Sequence, residues 1–114
     1  MSFLTEADNV FGISNKYYLN KAKQFAQKTG YNPNLLKFSE NPKYKLNYDG
    51  VNFGNAGYND YIIYKRLEKT GLADDNEAEK RRQLYLHRSK FIKGNWKNNK
   101  LSKNNLSRSI IWNA

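Results

Sequence analysis

An Asp-Gly pair between two alternating stretches constrains this chain more than any other feature. It lies in KYKLNYDGVNFGNAG, residues 43–57. A two-residue turn of type I′ needs positive φ at both central positions, which Asp49 tolerates and Gly50 adopts freely. Before the pair, Tyr44, Leu46 and Tyr48 alternate with Lys43, Lys45 and Asn47. After it, Val51 and Phe53 flank Asn52. Period-two alternation on both sides predicts two antiparallel strands with Lys43, Lys45 and Asn47 on the solvated side. An isolated hairpin is marginal in water, so flanking segments must cover its apolar face. Gly54 and Gly57 then turn the chain off the second strand. Their GxxG spacing also occurs in nucleic-acid clamps, but such clamps sit between helices, so turn glycines are the reading preferred.

The flanks read as helices, which gives an α+β fold: a hairpin of two strands, or three, packed on three or four helices. Residues 15–29 carry Tyr18, Leu19, Ala22, Phe25 and Ala26 on one stripe, with Ser14 or Asn15 as cap and Gly30 as terminator. Residues 31–42 form a connector, held to the core by Leu35, Leu36 and Phe38. Residues 58–70 contain β-formers at Tyr61–Tyr64, yet a cap at Asn59 or Asp60 and a stop at Gly71 favour a helix. The longest helix is expected over 75–93, behind an acidic start at Asp74, Asp75 and Glu77 that suits the helix dipole. It has one apolar stripe of Ala78, Tyr85, Leu86, Ser89 and Ile92, and a second of Leu84 and Phe91. Ser102 or Ser107 could cap a short last helix.

One domain is expected over 15–114, preceded by an apolar arm over 1–14. The arm is either a frayed terminus or a docking segment built on Phe3, Leu4 and Phe11. The closing cluster Ile110, Ile111 and Trp112 either tucks back on the domain or docks on a neighbouring subunit. No apolar run is long enough to span a bilayer, and the first residues lack the pattern of a secretory signal.

Cysteine is absent and histidine occurs once, at position 87. Disulfides, thiolate catalysis and cysteine-ligated zinc are thereby excluded. No nucleophile–base pair or phosphate loop is visible, so no enzyme, cofactor, metal site or small-molecule substrate is expected. The net charge is +10, from 20 Lys+Arg against 10 Asp+Glu. Such an excess favours polyanionic partners. Lys80, Arg81, Arg82, Arg88, Lys90, Lys93, Lys97 and Arg108 are the candidate contacts, interleaved with Tyr85, Phe91 and Trp96. Cations that neutralise phosphates and rings that stack are the parts of a nucleic-acid surface. Tyr85 and Phe91 fall on apolar stripes, which favours a core role for both.

Four pieces occur in order: YKLNYDGVNFGNAGYNDY at 44–61, RRQLYLHRSKF at 81–91, Asn95-Trp96, and SRSIIWN at 107–113. This set resembles an uncharacterised family of short basic proteins encoded by large DNA viruses. His87-Arg88 stands in reversed order relative to that pattern, and the 65–79 linker is longer. The family carries no agreed activity. The resemblance implies a virion protein, present in the particle and in the host cytoplasm or viral factory during assembly. A minor capsid, cement or internal component would bind other virion proteins such as capsid subunits. The alternative is a sequence-nonspecific DNA- or RNA-binding protein.

Overall fold

The protein is described by a computed structural model covering residues 13–94 and 96–113. Phe3, Leu4 and Phe11 therefore lie outside the described residues. The architecture is α+β. Helix α1 spans Asn15–Lys28, and a 3₁₀ turn, Pro33–Leu35, leads into strand β1, Leu36–Phe38. Strands β2, Tyr44–Tyr48, and β3, Val51–Asn55, follow, then helices α2, Tyr61–Lys69, and α3, Glu77–Ser89. A 3₁₀ turn, Trp96–Asn98, precedes α4, Lys103–Leu106, which runs into a π-helical turn, Ser107–Ile111.

The sheet is antiparallel in the order β1-β2-β3. Its centre is the expected hairpin, with Asp49 at φ 48° and Gly50 at φ 89°. Asn47 Oδ1 accepts from the Gly50 N–H at 3.1 Å, an added lock on the turn. The register sets Leu46 opposite both Phe38 and Phe53, so three apolar side chains share one row. The connector thus supplies the third strand. Gly54 belongs to β3 rather than to the turn after it, at φ 78°. A Cβ there would lie 3.1 Å from Ile111 Cδ1, so the bare backbone lets the C-terminal turn approach the sheet.

Helix α1 forms as its stripe predicts, with Ser14 Oγ accepting from the Tyr17 N–H at 3.1 Å. Tyr18, Ala22 and Ala26 are fully buried. Ile13 and Ser14, read from sequence as the end of the arm, belong to the domain, since Ile13 is fully buried and Ser14 is the cap. The core joins α1 to the inner row of the sheet, to Ile62 and Ile63 of α2, and to Leu106, Ile110, Ile111 and Trp112.

Three expectations are corrected here. The helix expected over 75–93 is shorter, Glu77–Ser89, and α1 is longer than it. Its terminal carbonyls are taken from outside: Arg108 donates to Leu86 O at 2.9 Å, and Asn104 Nδ2 to Ser89 O at 3.2 Å. Side-chain donors to these carbonyls, beside the Lys90 and Ile92 N–H groups, let the helix end there without leaving them unsatisfied. Its second stripe is not packed in the core, since Leu84 is 53% and Phe91 68% exposed. Lys45, expected on the solvated side of the hairpin, is buried.

The cluster Ile110, Ile111 and Trp112, offered as a docking surface, is instead core of its own chain, with exposures of 0%, 2% and 8%. The π turn aims it inward, closed by the Trp112 N–H donating to Ser107 O at 3.1 Å. Among the described residues no helix is long and apolar enough to cross a membrane.

Candidate functional site

Helix α3 places Arg81, Leu84, Tyr85 and Arg88 along one side, because positions three, four and seven apart share a face. Opposite stands the end of β3 with its following turn, carrying Asn55 and Tyr58. Between them lies a cleft of about 560 Å³. Tyr64 of α2 contributes to one wall, and Ser107, Ile111 and Trp112 of the C-terminal turn to another. Lys45 and Gly54 of the sheet and Asn59 complete the lining, which contains no acidic residue.

Each cation of the lining has a distinct electrostatic setting. Arg81 Nε donates to Glu77 Oε1 at 2.7 Å, and its guanidinium sits 5.7 Å from the Tyr64 ring centre. Lys45 Nζ lies 2.7 Å from Asp60 Oδ2, both side chains being buried. Arg88 is exposed and forms no ion pair among the described residues. Among the described residues it is the lining cation whose charge no carboxylate offsets.

The rings differ in the same way. Tyr85 stacks on Trp112, with centroids 4.3 Å apart and planes 7° from parallel. Burial pushes the Tyr85 hydroxyl above its ordinary value, while a hydrogen bond with Ser107 and the charges of Arg108 and Arg88 pull the other way. Tyr58 is 72% exposed, and among the described residues no ring or cation contact engages it. Its turn is held by Asn55, whose Oδ1 accepts from the Gly57 N–H at 2.8 Å and whose backbone oxygen accepts from the Tyr58 N–H at 3.3 Å.

Beneath the cleft, Asp60 joins three segments. It accepts from Lys45 of β2, from the Tyr18 hydroxyl of α1 at 2.5 Å, and from the Ile63 N–H of α2 at 3.2 Å. Burial first, then the Asp60 charge and hydrogen bond, hold the Tyr18 hydroxyl well above its ordinary 10.0. A raised value in the folded state keeps stability whole below the unfolded value and removes it as pH rises past that point. The protein is therefore expected to lose stability above about pH 10. In Tyr18→Phe, urea titrations should show a smaller alkaline loss, although stability at neutral pH is lower because Asp60 has lost a donor. An alkaline loss as steep in the variant as in the parent would contradict this.

The sequence-derived cationic residues divide into three groups. Arg81 and Arg88 meet in the cleft. Lys80, Lys90, Lys93 and Lys97 are exposed outside its lining. Arg82 and Arg108 are diverted to internal work, correcting their assignment to a polyanion surface. Arg82 donates to Trp112 O at 3.1 Å and Asn113 O at 3.0 Å, and reaches Glu79 at 3.1 Å. Arg108 donates to Leu86 O and Ser89 Oγ and lies 5.2 Å from the Trp96 ring centre. Phe91, expected in the core, is an exposed ring beside His87, 5.4 Å away and edge-on. Tyr58, Tyr64 and Lys45 were not legible as site residues, though an aromatic within a Gly57–Asn59 turn is a signal for an exposed ring at Tyr58. A second groove, between α1 and α2, mixes Lys21, Lys65 and Lys69 with Glu68 and Asp75, so it has little preference for anions.

Comparison with protein families, curated proteins and solved structures returned no match.

Proposed function

We propose that the protein is a non-enzymatic, sequence-nonspecific nucleic-acid-binding component of a large DNA virus particle. The observation that carries the reading is a cleft of ligand size, bordered by cations and aromatic rings and free of lining carboxylates. Arg88 is its principal phosphate contact and Arg81 a weaker one, because Glu77 already holds that guanidinium. The exposed Lys80, Lys90, Lys93 and Lys97 add a diffuse attraction, as does the net charge of +10. Contacts of this kind position a strand without reading its bases. The viral setting rests on the four ordered sequence pieces.

A second reading, docking on other virion proteins such as capsid subunits, is favoured by Phe91 and Ile92. These side chains are 68% and 51% exposed just beyond the end of α3.

The two separate in a salt series. Affinity for DNA, measured by fluorescence anisotropy, should fall steeply between about 50 and 200 mM salt. Arg88→Ala should reduce the slope of log affinity against log salt by about 0.7–0.9, one phosphate's worth. Absence of binding at about 50 mM salt would reject the nucleic-acid reading and leave protein docking.

A further inference from the structure

We propose that the cleft accepts one unpaired base and its phosphate, so that the protein binds single strands in preference to duplex. The inference rests on the nucleic-acid reading and specifies the form of the ligand. Of the rings in the lining, Trp112 is covered by Tyr85, and Arg81 lies over Tyr64. Among the described residues Tyr58 is the lining ring that meets neither another ring nor a cation, and it is 72% exposed on a turn that Asn55 holds in place. A ring presented on an ordered turn at a cleft mouth is a stacking platform, and every base has a face to lay on it.

The charges agree with that stoichiometry. Lys45 and Arg81 are matched by Asp60 and Glu77, which leaves Arg88 as the one lining cation with no ion pair among the described residues. One phosphate and one base make a nucleotide, and a space of about 560 Å³ is within the range that encloses small ligands. In a duplex the bases are stacked on one another, and a base must leave the helix before it can enter a pocket. Duplex DNA therefore meets only the exposed lysines and arginines, whereas a single strand gains the Tyr58 stack as well. The added stack is worth roughly 5- to 150-fold in affinity.

The test is anisotropy with the full chain, at one salt concentration. The probes are a thymidine oligomer of about 15 nucleotides, the corresponding duplex, and a single strand with abasic sites at its centre. Single strand should bind more tightly than duplex. Tyr58→Ala should weaken the single strand to near the duplex value and leave duplex binding unchanged, whereas Tyr58→Phe keeps the preference. The abasic strand should be insensitive to Tyr58→Ala. Tyr58 is exposed, so the variant is expected to fold, and circular dichroism checks it. Equal affinity for duplex and single strand, unmoved by Tyr58→Ala, would overturn the inference while leaving the nucleic-acid reading intact. Competition by thymidine monophosphate as effective as by the oligomer would assign the cleft to free nucleotides and overturn the strand assignment. No binding to any probe would overturn both readings.

Discussion

Asp60→Ala is expected to cost about 4–6 kcal/mol, which would leave little of a domain whose total stability is about 5–15 kcal/mol. The carboxylate is fully buried and serves three donors at once: the Lys45 ammonium, the Tyr18 hydroxyl and the Ile63 N–H. Breaking a buried ion pair on one side costs about 3–5 kcal/mol, because the surviving charge stays buried without that partner. Loss of the α2 cap adds about 1 kcal/mol. Asp60→Asn keeps a cap acceptor but no charge, so it should recover the smaller term and not the larger. Replacing both partners, Lys45→Met with Asp60→Leu, should cost much less than the sum of the two single changes, since no lone charge is left buried. Urea unfolding followed by circular dichroism measures all four variants. An Asp60→Ala loss below about 1 kcal/mol would mean that the triad contributes nothing to the fold.

Removal of residues from Ile110 onward should abolish cooperative folding. Truncating a buried Ile to Ala costs about 2–5 kcal/mol and a buried Trp about 3–5, and the deletion takes Ile110, Ile111 and Trp112 together. It also strips the Arg82 guanidinium of its carbonyl acceptors and Tyr85 of its stacking partner. The combined loss equals or exceeds the stability of a typical domain. A docking tail would behave in the opposite way: its deletion would spare the domain and cost only association. Trp112→Ala gives the graded version, a loss of about 3–5 kcal/mol. Thermal melts separate the alternatives, and a truncated chain that melts like its parent would refute the core assignment.

What could be read from the sequence was whatever local chemistry decides. Asp49-Gly50 specifies its own turn, and of the two caps offered at each helix start, Ser14 or Asn15 and Asn59 or Asp60, Ser14 and Asp60 take the role. What could not be read depends on distant partners. Alternation assigns Lys45 to the face away from Leu46, but whether that face is wet depends on Asp60, which reaches it from another segment. Arg82 and Arg108 look like surface charges until the carbonyls that they satisfy are visible. Period alone gave Phe91 a neighbour, yet the helix stops short and leaves the ring in solvent. The cleft is assembled from residues near 45, 54–64, 81–88 and 107–112, and no local window contains enough of it to be seen.

The Asp60 carboxylate touches a helix, a strand and the first turn of another helix within one hydrogen-bond radius. Because one carboxylate serves all three, displacement of the start of α2 breaks the bonds to Tyr18 and Lys45 together, which couples local opening across the three segments. Amides around Tyr18, Lys45 and Ile63 should accordingly exchange with solvent through a single shared event.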